Sequence, residues 1–394
     1  MLSMRLKNIT PSVTVAISSK VKEMKANGID VINLSIGEPD FNVPEKAKEY
    51  GKKSLDENKT KYDFVPGILE LREEICKKLE KENNISYTAD QIVLSSGAKN
   101  SITNVILATT DPGDEVLLPL PYWVSYSEIV KVTNAVPVEV KTKKENNFKL
   151  TKYELLSAIT DKTKLIIITN PSNPTGAVYT KDELLEIANI CLEKGIYILA
   201  DEIYEKIRFN EDFVSIASLS EDIKNITITV NGFAKSAAMT GIRLGYTASN
   251  TEIAKGMSAI QSHIISHPSL TAQYIGLGAL KECEEDMQHM VDTYKKRCSI
   301  ITNRLDKIDR IGYVKPSGAF YIFIDLSSVK ENFKYKESFS VEFCENFLRE
   351  EKVALVPGKA FGIDEYVRIS YACSEEDFLE GINRLENFIK KYLL

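Results

Sequence analysis

Val230-Asn-Gly-Phe-Ala-Lys235-Ser-Ala-Ala-Met-Thr-Gly-Ile-Arg243-Leu-Gly-Tyr246 is the stretch on which the reading of this chain turns. A β-rich run at 226–230 enters it and another at 244–249 leaves it. Between them, small residues surround one lysine, Lys235, and one arginine, Arg243. Small neighbours let a bulky group approach the backbone, and a lysine in a partly dry pocket can lose its proton and act as a nucleophile. Alone, the segment reads equally well as a connector between strands with two solvated charges. The rest of the chain decides.

Upstream there is a rhythm. β-like runs at 92–95, 115–118, 136–140, 164–169 and 196–200 alternate with helical patterns at 97–109, after Pro121, at 152–159 and at 181–194. Such alternation predicts a mostly parallel sheet with helices on both faces, and the strands look apolar throughout, as doubly covered strands do. Before it come a helix at 11–27 with Gly28 as its C-cap, a short strand at 31–34, and helices from about Pro44 and over 68–83. After Thr251 the pattern turns helical, with a charged stretch at 280–309, and then becomes a smaller α+β unit. That unit has strands at 319–326, 353–356 and 366–370, a helix around 338–350 and a closing helix. The expected division is a large domain at 44–282 and a discontinuous small domain from 1–43 and 283–394.

Composition narrows the classes. Of 394 residues, 43% are hydrophobic and 27% charged, as in an ordinary globular protein. A net charge of −6 argues against a general nucleic-acid binder. No apolar run approaches bilayer length, and the N-terminus lacks a signal peptide's apolar core, so the expectation is a cytoplasmic protein with no membrane partner. Six cysteines stand singly, without a C-x-x-C, and the three histidines give little basis for a metal centre.

Ligands of an open parallel sheet sit beyond the carboxyl ends of its strands. One exit reads Ser95-Ser-Gly-Ala-Lys-Asn-Ser101, small residues opening a helix where unpaired N–H groups attract an anion. Another reads Asn170-Pro-Ser-Asn-Pro-Thr-Gly176, a turn-rich loop with an amide at Asn173. A third ends on Asp201, with Tyr204 beyond it. Together with Lys235 and Arg243 they make an anion nest, an amide, a carboxylate, a tyrosine and two cations. No metal site, nucleophile–histidine pair or Walker loop explains that set, whereas a phosphorylated aromatic aldehyde explains every member.

At this point the chain resembles the fold type I pyridoxal-phosphate aminotransferases, class I, aspartate aminotransferase group. The resemblance runs from Ser35-Ile-Gly-Glu-Pro-Asp-Phe to Val367-Arg-Ile-Ser-Tyr-Ala. It includes Pro121-Tyr-Trp-Val-Ser-Tyr, Ser172-Asn-Pro-Thr-Gly, Asp201-Glu-Ile-Tyr and Lys235…Met-Thr-Gly-Ile-Arg243, in the family's order and spacing.

The resemblance implies an amino transfer from L-aspartate to 2-oxoglutarate by a ping-pong route, with pyridoxal 5′-phosphate as cofactor. By it, Lys235 forms the Schiff base and shuttles the substrate proton, and Asp201 pairs with the pyridine nitrogen. Asn173 and Tyr204 bond the phenolic oxygen, and Trp123 stacks on the ring. Arg243, the Gly97 and Ala98 amides, and Tyr62 from a second subunit hold the phosphate, which implies a homodimer with shared sites. Arg368 clamps the substrate α-carboxylate by its planar fork, and Gly37 closes over the substrate. Trp123 and Asn173 border the substrate as well.

Two departures stand out. The distal-carboxylate arginine of the best-known members has no counterpart at 257–274, where Ser269 stands instead. A related subgroup uses a lysine in the phosphate-loop helix, and Lys99 is there, a point charge in place of a fork. Ile242 occupies a position where that subgroup has tryptophan. Alternatives are an aromatic or prephenate aminotransferase of the same group, a carbon–sulfur lyase on the same scaffold, and a non-enzymatic cofactor-binding regulator. The last is opposed by the acidic charge and by the lack of a winged-helix segment before Pro11. A Rossmann dehydrogenase is disfavoured because no G-x-G-x-x-G follows the first strand.

Overall fold

The rhythm between residues 92 and 201 becomes one sheet in the computed structural model, which describes residues 3–11, 13–209 and 212–392. The helix expected at 11–27 includes Ser12, and both expected domains include residues (1, 2, 12, 210, 211, 393 and 394) that lie outside the described ones.

In chain order the strands are β1 (Ile32–Asn33), β2 (Ile92–Ser95), β3 (Glu115–Pro119), β4 (Val136–Val140), β5 (Thr163–Thr169), β6 (Tyr197–Asp201), β7 (Thr227–Gly232) and β8 (Gly245–Ala248). They are followed by β9 (Gly312–Tyr313), β10 (Tyr321–Asp325), β11 (Val353–Ala354), β12 (Val356–Pro357) and β13 (Tyr366–Ser370). The large sheet has seven strands in the order β2-β8-β7-β6-β5-β3-β4. The pairs from β7 through β4 are parallel, and β8 is antiparallel to both its neighbours. β2 therefore points the same way as β3 to β7, and only β8 is reversed. All the strand exits named above, and the entry of β8 after Arg243, meet at one edge of the sheet.

Alternation explains the two covered faces, since successive side chains of a strand point to opposite sides. Val116, Leu118, Leu165, Ile167 and Leu199 pack with helix residues Ile102, Val105 and Met257 on one side. Leu117, Ile166, Ile168, Ile198 and Ala200 pack with Leu155, Leu184 and Ile187 on the other. The helix Lys181–Lys194 shows how local the encoding is. Thr180 and Glu183 form a capping box, Gly195 ends the helix in the left-handed region at φ 64°, and Leu184, Ile187, Ala188 and Cys191 make the buried stripe.

Three expectations differ. β4 is an edge strand whose Val136 is exposed, so it is not apolar on both faces. The strand expected at 353–356 splits at Leu355: β11 pairs parallel with β1, and β12 pairs antiparallel with β13. The helix Glu221–Ile226 and the two-residue β9 were not expected; β9 is too short for periodicity and exists through its pairing with β10.

The N-terminal segment joins the C-terminal unit. Ser370 N–H donates to Leu34 O (2.8 Å), and Ile32 and Leu34 share one apolar core with Tyr321, Phe343, Ile369 and Phe388. Among the described residues no helix is long and apolar enough to cross a membrane.

Candidate active site

Seven stretches of the chain converge beyond the carboxyl edge of the sheet. β7 delivers Lys235 on a four-residue helix, Phe233–Ser236, and the lysine is half-buried. Its ammonium hydrogen-bonds to the Gly37 carbonyl and lies 5.8 Å from the ring centres of Tyr204 and Phe320. Burial, then the nearby Arg368 and Arg243 charges, pull its pKa down to about 8 against the opposing pull of Glu38 and Asp201.

Asp201, the last residue of β6, is 3% exposed. Its Oδ2 accepts from Tyr126 OH (2.5 Å) and its Oδ1 from Ile203 N–H (3.3 Å). Burial outweighs these bonds and the Lys235 charge and raises its pKa to about 6. A carboxylate so placed gains from a cationic N–H partner.

Arg368 on β13 is almost wholly buried. Its guanidinium donates to Asn173 Oδ1 (3.1 Å) and Ser35 O (2.9 Å), and lies 4.3 Å over the Tyr321 ring and 5.2 Å over that of Phe361. Its Nε–H is buried without a partner among the described residues. An orphaned charged donor in a cleft is costly, and a carboxylate ligand would satisfy it.

At the other end, Arg243 at φ 61° lies against the Gly97 backbone, where an added Cβ would come 2.4 Å from its guanidinium. Arg243 donates to Thr240 O (2.9 Å) and Ser96 O (3.5 Å). Gly97 is at φ 82°, a conformation that favours glycine, and opens the helix Ala98–Thr109. The Gly97 N–H donates to Ser95 O (2.7 Å), so the first-turn amides beginning at Ala98 are the ones left to bind an anion. Gly245 brings the backbones equally close: a Cβ there would be 2.4 Å from Ala98 N. The Lys99 ammonium sits 4.9 Å from the Trp123 ring, where desolvation and then Arg243 lower its pKa. Trp123 meets Tyr126 edge-on at 5.4 Å.

The structure thus gathers Gly37, Gly97, Ala98, Lys99, Trp123, Asn173, Asp201, Tyr204, Lys235, Arg243 and Arg368 around one cleft. Tyr62 is not among them. It is 91% exposed and stands with Lys61, His267 and Ser269 around a separate pocket of about 590 Å³. Ile242, partly buried, packs on the cluster containing Leu71, Phe233 and Ile275. Sequence reasoning assigned no role to Tyr126, although it lies in the quoted Pro121–Tyr126 motif, and it passed over Tyr321, which carries no motif signal.

These residues fit pyridoxal phosphate. Four cations against Asp201 and Glu38 favour a polyanion, Gly97 lets the Arg243 guanidinium lie against the first turn of the helix Ala98–Thr109, and among the described residues no cation hydrogen-bonds to Asp201.

The sequence model of the family described as aminotransferase class I and II matches residues 29–385. A probable aspartate/prephenate aminotransferase of Aquifex aeolicus is 44% identical, with 99% of each chain covered. An aspartate aminotransferase of Bacillus subtilis is 42% identical over the same share. The structure of the Thermus thermophilus aspartate aminotransferase with maleate superposes with a TM-score of 0.93 at 37% identity, covering 98% of this chain and 99% of that one.

Proposed function

This chain belongs to the class I and II aminotransferase family and is a pyridoxal-phosphate enzyme of fold type I, and we propose that it moves the amino group of L-aspartate to 2-oxoglutarate. The observation that carries the substrate reading is the pair of cations: buried Arg368, with its orphaned Nε–H, and Lys99 over Trp123. A dicarboxylate needs two positive anchors. Arg368 binds the α-carboxylate through a fork, and Lys99 takes the distal one as a point charge.

The bound cofactor supplies an electron sink for the charge left when the substrate Cα loses its proton. Lys235 Nζ removes that proton, and a pKa near 8 leaves a usable share of free amine near neutrality. Asp201 holds a proton on the pyridine nitrogen and is itself oriented by Tyr126. Asn173 and Tyr204 would hold the cofactor's phenolic oxygen by hydrogen bonds, Trp123 would cover its ring, and Arg243 with the first-turn amides after Gly97 would anchor its phosphate.

Tyr62, exposed here, reaches the phosphate of a second copy, so the working unit is a homodimer in the cytoplasm. Residues 44–282 form the cofactor domain. Residues 1–43 and 283–394 form a small domain that brings Gly37 over the substrate.

The test is a half-reaction. L-aspartate added to the cofactor-loaded protein, without an oxo acid, should bleach the visible cofactor band and release oxaloacetate in proportion to enzyme. Lys99→Ala should weaken dicarboxylic substrates selectively; equal loss for alanine or phenylalanine would refute its role. A second reading, amino transfer to prephenate, is favoured by Lys99 itself, because a point charge tolerates differently shaped acids better than a fork. Rates on a substrate panel separate the two.

A further inference from the structure

The polar residue that touches both the cofactor side and the substrate side of the cleft is one the motifs do not contain. Tyr321 opens β10, is 1% exposed, and pairs across the sheet with Ser370, two residues from Arg368. Its hydroxyl is 2.8 Å from that of Tyr204, and its ring lies 4.3 Å under the Arg368 guanidinium. Among the described residues, this is the one hydrogen bond the Tyr321 side chain makes.

We propose that Tyr321 is a positioning residue whose hydroxyl donates to Tyr204 and whose ring holds Arg368 flat for a substrate carboxylate. The inference rests on the reading of Tyr204 given above and deepens it. A phenol has one hydrogen and can accept as well. If Tyr204 gives its hydrogen to the cofactor's phenolic oxygen, it can meet Tyr321 only as acceptor, so Tyr321 fixes the direction of the donation. Donation in series also polarises the second hydroxyl and strengthens its bond. Both phenols stay protonated, because burial raises both pKa values, most strongly for Tyr204. The charged groups acting on the pair are Asp201 at the end of β6, Arg368 on β13 and Glu38 in the N-terminal loop, and Lys235 lies 5.8 Å from the Tyr204 ring.

The test compares parent, Tyr321→Phe, Tyr204→Phe and the double variant, all loaded with pyridoxal phosphate, by the pH midpoint of the visible cofactor band. A bond to an anionic oxygen favours the anion, so weakening it moves the midpoint up. Tyr204→Phe should shift it most, and Tyr321→Phe by roughly half a unit, the worth of one modest hydrogen bond. The double variant should match Tyr204→Phe alone. Tyr321→Phe should bind maleate as the parent does, since its ring remains. Tyr321→Leu should bind it up to ~10-fold more weakly. A shift for Tyr204→Phe with none for Tyr321→Phe, or additive shifts in the double variant, overturns the inference. No shift for Tyr204→Phe overturns the reading of Tyr204 and this inference with it. Thermal unfolding of each variant separates these effects from loss of fold.

Discussion

The floor of the cleft and the rim that carries Tyr62 are built on opposite terms. On the floor, Asp201, Tyr204, Tyr321 and Arg368 are nearly inaccessible, and each is held by groups of the same chain. On the rim, Tyr62 meets His267 edge-on at 6.1 Å, His267 Nε2 accepts from Asp63 N–H, and Phe64 beside them is 69% exposed. Tyr62 and Phe64 present large apolar surface outward beside Lys61. One chain thus completes the chemistry of the floor by itself, while the rim presents its groups outward.

Substitutions on the floor should therefore act within one chain, and those on the rim through a second. Lys235→Ala should lower aspartate transamination most, by ~10³-fold or more, since it removes both nucleophile and proton carrier. Arg368→Ala should lower kcat/KM by ~10²-fold through lost charge-assisted bonds to the α-carboxylate, with the cofactor's spectrum retained. Tyr62→Phe should weaken cofactor binding by no more than ~10-fold, the worth of a single bond, measured by equilibrium titration of the cofactor-free protein. Mixing Tyr62→Ala with Lys235→Ala chains should restore one parent-like site per mixed dimer. No recovery on mixing would place Tyr62 outside a shared site.

A further effect is on stability. In the cofactor-free protein the Asp201 carboxyl titrates near pH 6, above its ordinary value of 3.8. The native state then holds a proton that the unfolded state releases. The stabilisation is complete below about pH 4 and is lost as the pH rises through about 6. Asp201→Asn, uncharged throughout, should lack this slope, so the difference between parent and variant in denaturant unfolding should change across that window. A flat difference would show that Asp201 is not buried as described.

Much of this was legible in the sequence because it is encoded locally. A capping box, a left-handed glycine and a short apolar run each lie within a few positions, and they set the helix at 181–194 and the strand at 92–95. The order of the motifs likewise put Lys235, Asp201 and Asn173 at strand exits and Arg243 just before the entry of a strand. Tertiary structure alone decided the rest. The partner of Asp201 lies 75 residues away at Tyr126, and that of Tyr204 lies 117 residues away at Tyr321. The splitting of 353–356 depends on β1, more than 300 residues earlier. Packing selects such pairings after the chain has folded back on itself, and no spacing within a short window records them.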